Sequence, residues 1–169
     1  MALGMYAASV PVYQRNLGAL SKILDKASAW AAAKKVDEAV LGATRLTPDM
    51  LPLTRQVQLV CRHAEESTAR LAGVEAPKAP ENAEKTLAEL RPRIEAVLAY
   101  LKGFAASQVD GSEGREVVLT IGGKPMPLSG QDYLLGFAMP NFYFHMTTAY
   151  AILRQVGVEI GKRDFLGRA

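Results

Sequence analysis

His63 and His145 are the only imidazoles in this 169-residue chain, and Cys61 is its only thiol. His145 sits in the stretch PNFYFHMTTAYAILRQVG, where Phe142, Met146, Ala149, Leu153 and Val156 recur three or four residues apart and so share one helix face. A titratable ring in an otherwise apolar stripe is the strongest chemical signal in the chain. Zinc and similar ions take about four ligands from His, Cys, Asp or Glu converging on one point. The residues four positions either side of His145 are Asn141 and Ala149, so α-helical spacing supplies no second nitrogen. A divalent zinc or nickel site therefore needs His63 and His145 from two facing helices, with oxygen from Glu66, Asp49, Asp132 or Gln155, plus water. The plain alternative is that both imidazoles are structural, each satisfied by a neighbouring hydroxyl, amide or carbonyl.

Other chemistry is poorly served. Cys61 lies two residues before His63 on the same helix, so the two point in different directions, and Cys61 reads as a small core hydrophobe. No G-x-S-x-G is present, and Gly122-Gly123-Lys124 lacks the remainder of a P-loop. Gly161-Lys162-Arg163-Asp164 reads as a solvated tail. Around His145, the polar groups of Asn141, Tyr143, Tyr150 and Gln155, with Phe142 and Phe144, would suit a pocket for a small, partly apolar ligand. The same hydroxyls would equally serve as internal hydrogen-bond partners in a tight bundle.

The elements that must position these residues are helical. Helix one is expected from Leu3 to about Lys35, kinked at Pro11, with Tyr6, Tyr13, Leu17, Leu20, Leu24, Ala27 and Ala31 in one stripe. A connector with a short turn at Asp37–Leu41 leads to Thr47-Pro48-Asp49, a capping hydroxyl followed by proline and an acid, which predicts the start of helix two. That helix is expected to reach Ala72, bent or frayed at Pro52, with Gln56, His63 and Arg70 in a row on its flank. After the loop Gly73–Asn82, helix three opens at Asn82 or at the capping-box spacing Thr86-x-x-Glu89, and runs to about Ala106. Arg115–Ile121 alternates and is β-branched, Gly122-Gly123 is a two-residue hairpin turn, and Lys124–Leu128 is an edge strand limited by Pro125 and Pro127. Ser129-x-x-Asp132 opens a short helix to Ala138, Met139-Pro140 interrupts it, and the His145 helix follows to Gly157. Phe165 and Leu166 of the tail are expected against the bundle. Four amphipathic helices with a hairpin between the third and fourth make an all-α four-helix bundle, one domain over residues 1–169.

Composition sets the outer limits. Hydrophobic residues are 49% and charged residues 22%, so the chain can bury a core. The 20 Lys and Arg against 17 Asp and Glu are interspersed, with no basic run, which argues against a nucleic-acid partner. One cysteine permits no internal disulfide, MALGMYAASVP has no secretory pattern, and no apolar run nears the roughly 20 residues of a membrane span. A cytoplasmic protein without membrane attachment is expected.

Three stretches, MYAASVPVYQRNLGALSKILDKA, LTPDMLPLTRQVQLVCRHA and PNFYFHMTTAYAILRQVGVEIGKRDFLG, resemble the uncharacterised bacterial DinB-like proteins, across nearly the whole chain. The resemblance implies the DinB/YfiT-like fold, a bundle running up-down-down-up. It also implies kinship with metalloenzymes that include thiol-dependent transferases and a maleylpyruvate isomerase. Their site has one histidine on helix two and two more spaced by four on the last helix. By that resemblance His63 is similar to the first ligand and His145 to the second, while Ala149 stands in the third position. Two expectations follow: a metal-dependent enzyme acting on a small thiol-type substrate between helices two and four, or a metal-free bundle that binds a small molecule or forms a homodimer.

Overall fold

The computed structural model describes residues 3–168; Met1, Ala2 and Ala169, the ends of the predicted terminal segments, lie outside the described residues. Helix α1, Met5–Lys34, buries Tyr13, Leu17, Leu20, Leu24, Ala27 and Ala31 as the stripe predicts, and it runs on through the exposed Pro11. Lys35 ends it at φ 56°, returning its N–H to the carbonyls of Ala31 and Ala32. The short α2, Glu38–Ala43, is capped by the Asp37 carboxylate, which accepts from the Ala39 N–H at 2.8 Å.

Helix α3 spans Leu53–Ala72, so it starts six residues later than Thr47. The Thr47 hydroxyl donates to Asp49 Oδ1 at 2.7 Å instead of capping a helix, and the Met50 N–H closes a turn on the Thr47 carbonyl. Pro52 explains the shift. It forces Leu51 out of helical conformation and is itself extended at ψ 164°, leaving Leu53 as the first residue able to wind.

The crossover 74–86 leads to α4, Leu87–Lys102, opened by a complete capping box between Thr86 and Glu89. It ends at Gly103 rather than near Ala106, and Phe104 folds back on Tyr100 with ring centroids 5.0 Å apart. A one-turn helix, α5 (Ala106–Val109), precedes the hairpin of β1 (Glu116–Ile121) and β2 (Lys124–Ser129). Ile121 pairs with Lys124 across Gly122 and Gly123, whose φ values of 59° and 77° are those of the tight hairpin turn. Val117 and Leu119 face inward, and Arg70 of α3 donates to the Val118 carbonyl at 3.2 Å, pinning the hairpin to the bundle.

The last third differs from the expectation most. Ser129 caps α6 (Gly130–Tyr133), but the chain does not break at Met139-Pro140. It passes through a π turn, Leu134–Ala138, straight into α7, Met139–Gln155, with the Met139 N–H bonding the Leu134 carbonyl five residues back. The extra residue in that turn lets the helix carry a proline early in α7 without losing its course.

Together α1, α3, α4 and α7 form the up-down-down-up four-helix bundle, with α3 packed most extensively on α7 and α1 on α4. At the centre Phe142 meets Tyr13 edge-on at 4.8 Å, and the buried Tyr13 hydroxyl donates to Ser67 at 2.9 Å. The tail folds back over α1 and α7: Asp164 pairs with Lys26 at 2.5 Å, Phe165 packs on Tyr150, and Leu166 stays exposed.

Candidate functional site

Helix α3 places Gln56 and His63 seven residues, hence two turns, apart on one flank, and α7 lies against that flank. His145 of α7 meets His63 there. Their rings are nearly parallel, 11° between planes, with centroids 5.5 Å apart. Phe137, from the π turn, stands edge-on to His63 at 6.3 Å, and Phe144 stands edge-on to His145 at 5.2 Å. Both imidazoles are half-buried.

The buried Gln56 amide fixes the chemistry of His145. Its Nε2 donates to the Leu51 carbonyl oxygen at 3.0 Å, and a carbonyl can only accept. Gln56 Oε1 therefore faces His145 Nδ1, at 2.7 Å, and Nδ1 must carry the proton. The lone pair of the neutral ring is left on Nε2. Burial pushes His145 down to about 4, helped by the proximity of His63 and the positive charge of Arg55. Burial, with the charge of Arg62, does the same to His63, also to about 4. At neutral pH the site is a pair of uncharged imidazoles.

The oxygen donors considered from the sequence are occupied elsewhere. Glu66 pairs with Arg62 at 2.5 Å, Asp49 holds Thr47, and Asp132 holds Ser129 at the start of α6. Gln155 is exposed at the end of α7, and Ala149 is buried in the core. Among the described residues no group of three or more His, Cys, Asp or Glu converges. Two imidazoles fall short of the three or four protein ligands that a resident zinc or nickel ion takes.

The predicted pocket residues are dispersed. Asn141 donates to the Phe137 carbonyl at 2.7 Å, within the π turn. Tyr143 faces α1, its hydroxyl accepting from Asn16 Nδ2 at 3.3 Å. Tyr150 lines a separate cleft of about 210 Å³ with Thr147, Lys162 and Phe165. Gln56, Phe137 and Phe144 lie against the imidazoles instead. A cavity of about 490 Å³ between β2 and the π turn, lined by Met126, Leu128, Asp132, Leu135, Gly136 and Phe137, shares Phe137 with the pair. Cys61 is buried, and its thiol is raised far above the ordinary range by burial, so it is inert.

The fold defines a four-helix-bundle protein with a crossover between its second and third long helices and an imidazole pair between its second and fourth. Residues 5–166 match the family described as Domain of unknown function (DUF1993), and the chain belongs to that family. It is similar to the crystal structure of a DinB family member protein from Shewanella denitrificans, at 43% identity over 95% of this chain and 90% of that one, with a TM-score of 0.86. No curated protein matches. None of the described helices is long and apolar enough to cross a membrane.

Proposed function

We propose that this DUF1993 protein binds a small, partly apolar molecule at the His63–His145 pair, with His145 Nε2 accepting a hydrogen bond from the ligand. The observation that supports this most is the Gln56–His145 hydrogen bond, which commits one nitrogen and leaves the other as a lone pair of fixed direction. The role is recognition rather than proton abstraction. A base at about 4 lies far below an ordinary thiol, so full proton transfer from such a group would be strongly uphill. The aromatic edges of Phe137 and Phe144 supply the apolar walls, and the adjoining 490 Å³ cavity is within the size range of small-ligand sites.

A second reading has one observation in its favour. Metal-bound histidines commonly donate their other ring N–H to an amide or carboxyl oxygen, as His145 does to Gln56. A divalent ion held by His63 and His145 would then take its remaining ligands from solvent or from a thiol-type substrate.

Metal analysis of the purified wild type and of His63→Phe/His145→Phe, beside ¹⁵N spectra of the histidine rings, separates the readings. Substoichiometric metal in both proteins, with His145 Nε2 shifting on addition of small heteroaromatic N–H donors, is the expected result. Near-stoichiometric metal lost in the double variant would replace it with the metal reading. Failure of any such donor to move the Nε2 signal would remove the recognition role.

A further inference from the structure

Next to the row bearing Gln56 and His63, α3 carries a second polar row of Arg55, Gln58 and Arg62. It faces α4 and the crossover 74–86. These side chains enclose a cavity of about 80 Å³, lined by Arg55, Gln58, Arg62, Pro80, Asn82 and Arg93 among others. Three guanidinium groups thus meet around a space far smaller than the 300–1,000 Å³ of sites for whole organic ligands. It has room for one small polar head.

The three guanidinium groups around that space are unequally paired. Arg93, whose side chain is only 8% exposed, is held by Glu84 through Nε at 2.5 Å and Nη2 at 3.0 Å. Arg62 pairs with Glu66 at 2.5 Å. Neither glutamate lines the cavity, and Glu65 lines a different cleft on the other side of Arg93. Among the described residues Arg55 has no carboxylate partner; its Nη1 donates to the neutral Gln58 Oε1, at 2.7 Å. Among the described residues, Arg55 is thus the one guanidinium of the three that no carboxylate meets. A guanidinium carries five N–H donors in a fixed fork, and most of those on Arg55 meet no acceptor among the described residues.

The crossover forms the roof of this space, held down by the same side chains. Arg62 donates to the Pro77 carbonyl at 2.7 Å, and Arg93 donates to the Glu81 carbonyl at 2.7 Å. Gln58 Nε2 donates to Glu84 Oε2 at 2.9 Å, so its amide cannot turn. These bonds hold the Arg62, Arg93 and Gln58 side chains in place before any ligand arrives, which lowers the ordering cost of binding.

We propose that this cavity binds a small oxyanion, the phosphate or carboxylate head of a ligand, on Arg55, Arg62 and Arg93 with the Asn82 amide. Planar, forked donors around a confined space match the oxygens of such a group. The site is distinct from the imidazole pair and does not depend on the function proposed for it.

The test titrates the full chain with inorganic phosphate and with acetate, at low and at physiological salt, following backbone amide shifts. Saturable shifts in residues 55–62 and 79–93 are expected, with affinity reduced about tenfold in Arg55→Gln, the change that leaves no carboxylate unpaired. Tighter phosphate than acetate would identify a phosphate head, and the reverse a carboxylate head. Lys124→Gln at the hairpin turn, which removes an equal charge elsewhere, is expected to leave affinity unchanged. If Arg55→Gln melts early, Asn82→Ala takes its place and must also weaken binding. Non-saturating shifts, equal affinity in wild type and variant, or an equal loss in Lys124→Gln would overturn the proposal and leave the arginines as fasteners of the crossover.

Discussion

Gln56 Oε1 lies 2.7 Å from His145 Nδ1 while the same amide's Nε2 lies 3.0 Å from the Leu51 carbonyl oxygen. One side chain in the first turn of α3 thereby couples the imidazole of α7 to the loop that enters α3. Because Pro52 fixes where that turn begins, it also fixes which amide can reach the ring. The position of a proline thus determines the tautomer of a histidine 93 residues further along the chain.

Gln56→Leu keeps the volume and removes the coupling. It leaves the Leu51 carbonyl and the His145 N–H without partners, at a cost of about 1–2 kcal/mol in unfolding free energy. The ring should then populate both tautomers. Nitrogen chemical shifts of His145 report the second effect and denaturant midpoints the first; an unchanged, single Nδ1–H tautomer in the variant would contradict the assignment.

The pH dependence follows from burial of the pair. Both histidines titrate near 4 in the folded chain and near 6.5 when unfolded. Between those values the unfolded chain binds more protons, so stability falls as pH drops through that window and is fully present above about 6.5. Glu84 and Asp164 are held below their ordinary values, so their losses fall at the acid end of this window and below it. Unfolding midpoints measured at pH 7.5, 6, 5 and 4.5 should decline steadily. In His63→Phe/His145→Phe the decline down to pH 5 should largely vanish.

How far the sequence carried depended on the range of the interaction. The capping box at Thr86, the Ser129 cap and the Gly122-Gly123 turn are local hydrogen-bond patterns, and each forms where its residues predict it. Thr47-Pro48-Asp49 has the residues of a helix start, but the constraint imposed by Pro52 prevails over it. The π turn has no composition of its own, so Met139-Pro140 read as a break. Tyr143, two residues from His145, lies about 200° around the helix, and Gln155 lies about 15 Å along it. Nearness in sequence misplaced both. Gln56 and His63 were visible as a row on one flank, yet their meeting with His145 is a contact between helices that periodicity cannot register.

Phe137 links the imidazole pair to the 490 Å³ cavity, and burial is the main cause of the low His63 value. Phe137→Ala should open one to the other and admit water to the ring. The half-buried ring also packs on Tyr133, so the loss is about 2–3 kcal/mol, below that of a fully buried phenylalanine. Proton titration of the His63 ring should show its value rising from about 4 toward the ordinary range, with His145 moving less. A His63 value unchanged in a folded variant would mean that Phe137 does not shield it.

Among the described residues Arg93 and Glu84 form the ion pair most withdrawn from water, with side chains 8% and 17% exposed. Glu84 belongs to the crossover and Arg93 to α4, while Gln58 of α3 also donates to the carboxylate, at the Oε2 it shares with Arg93. Removing one member strands the other: Arg93→Met would leave Glu84 desolvated with a single amide partner, a cost of about 3 kcal/mol. It would also free the Glu81 carbonyl and loosen the roof over α3. Hydrogen exchange should therefore speed up first across residues 74–86 and the facing turns of α3 and α4, while α1 and α7 keep their protection. Glu84→Gln/Arg93→Met, which removes both charges, should recover part of the loss. If the double variant is no more stable than Arg93→Met, packing of the arginine stem rather than its charge holds the crossover in place.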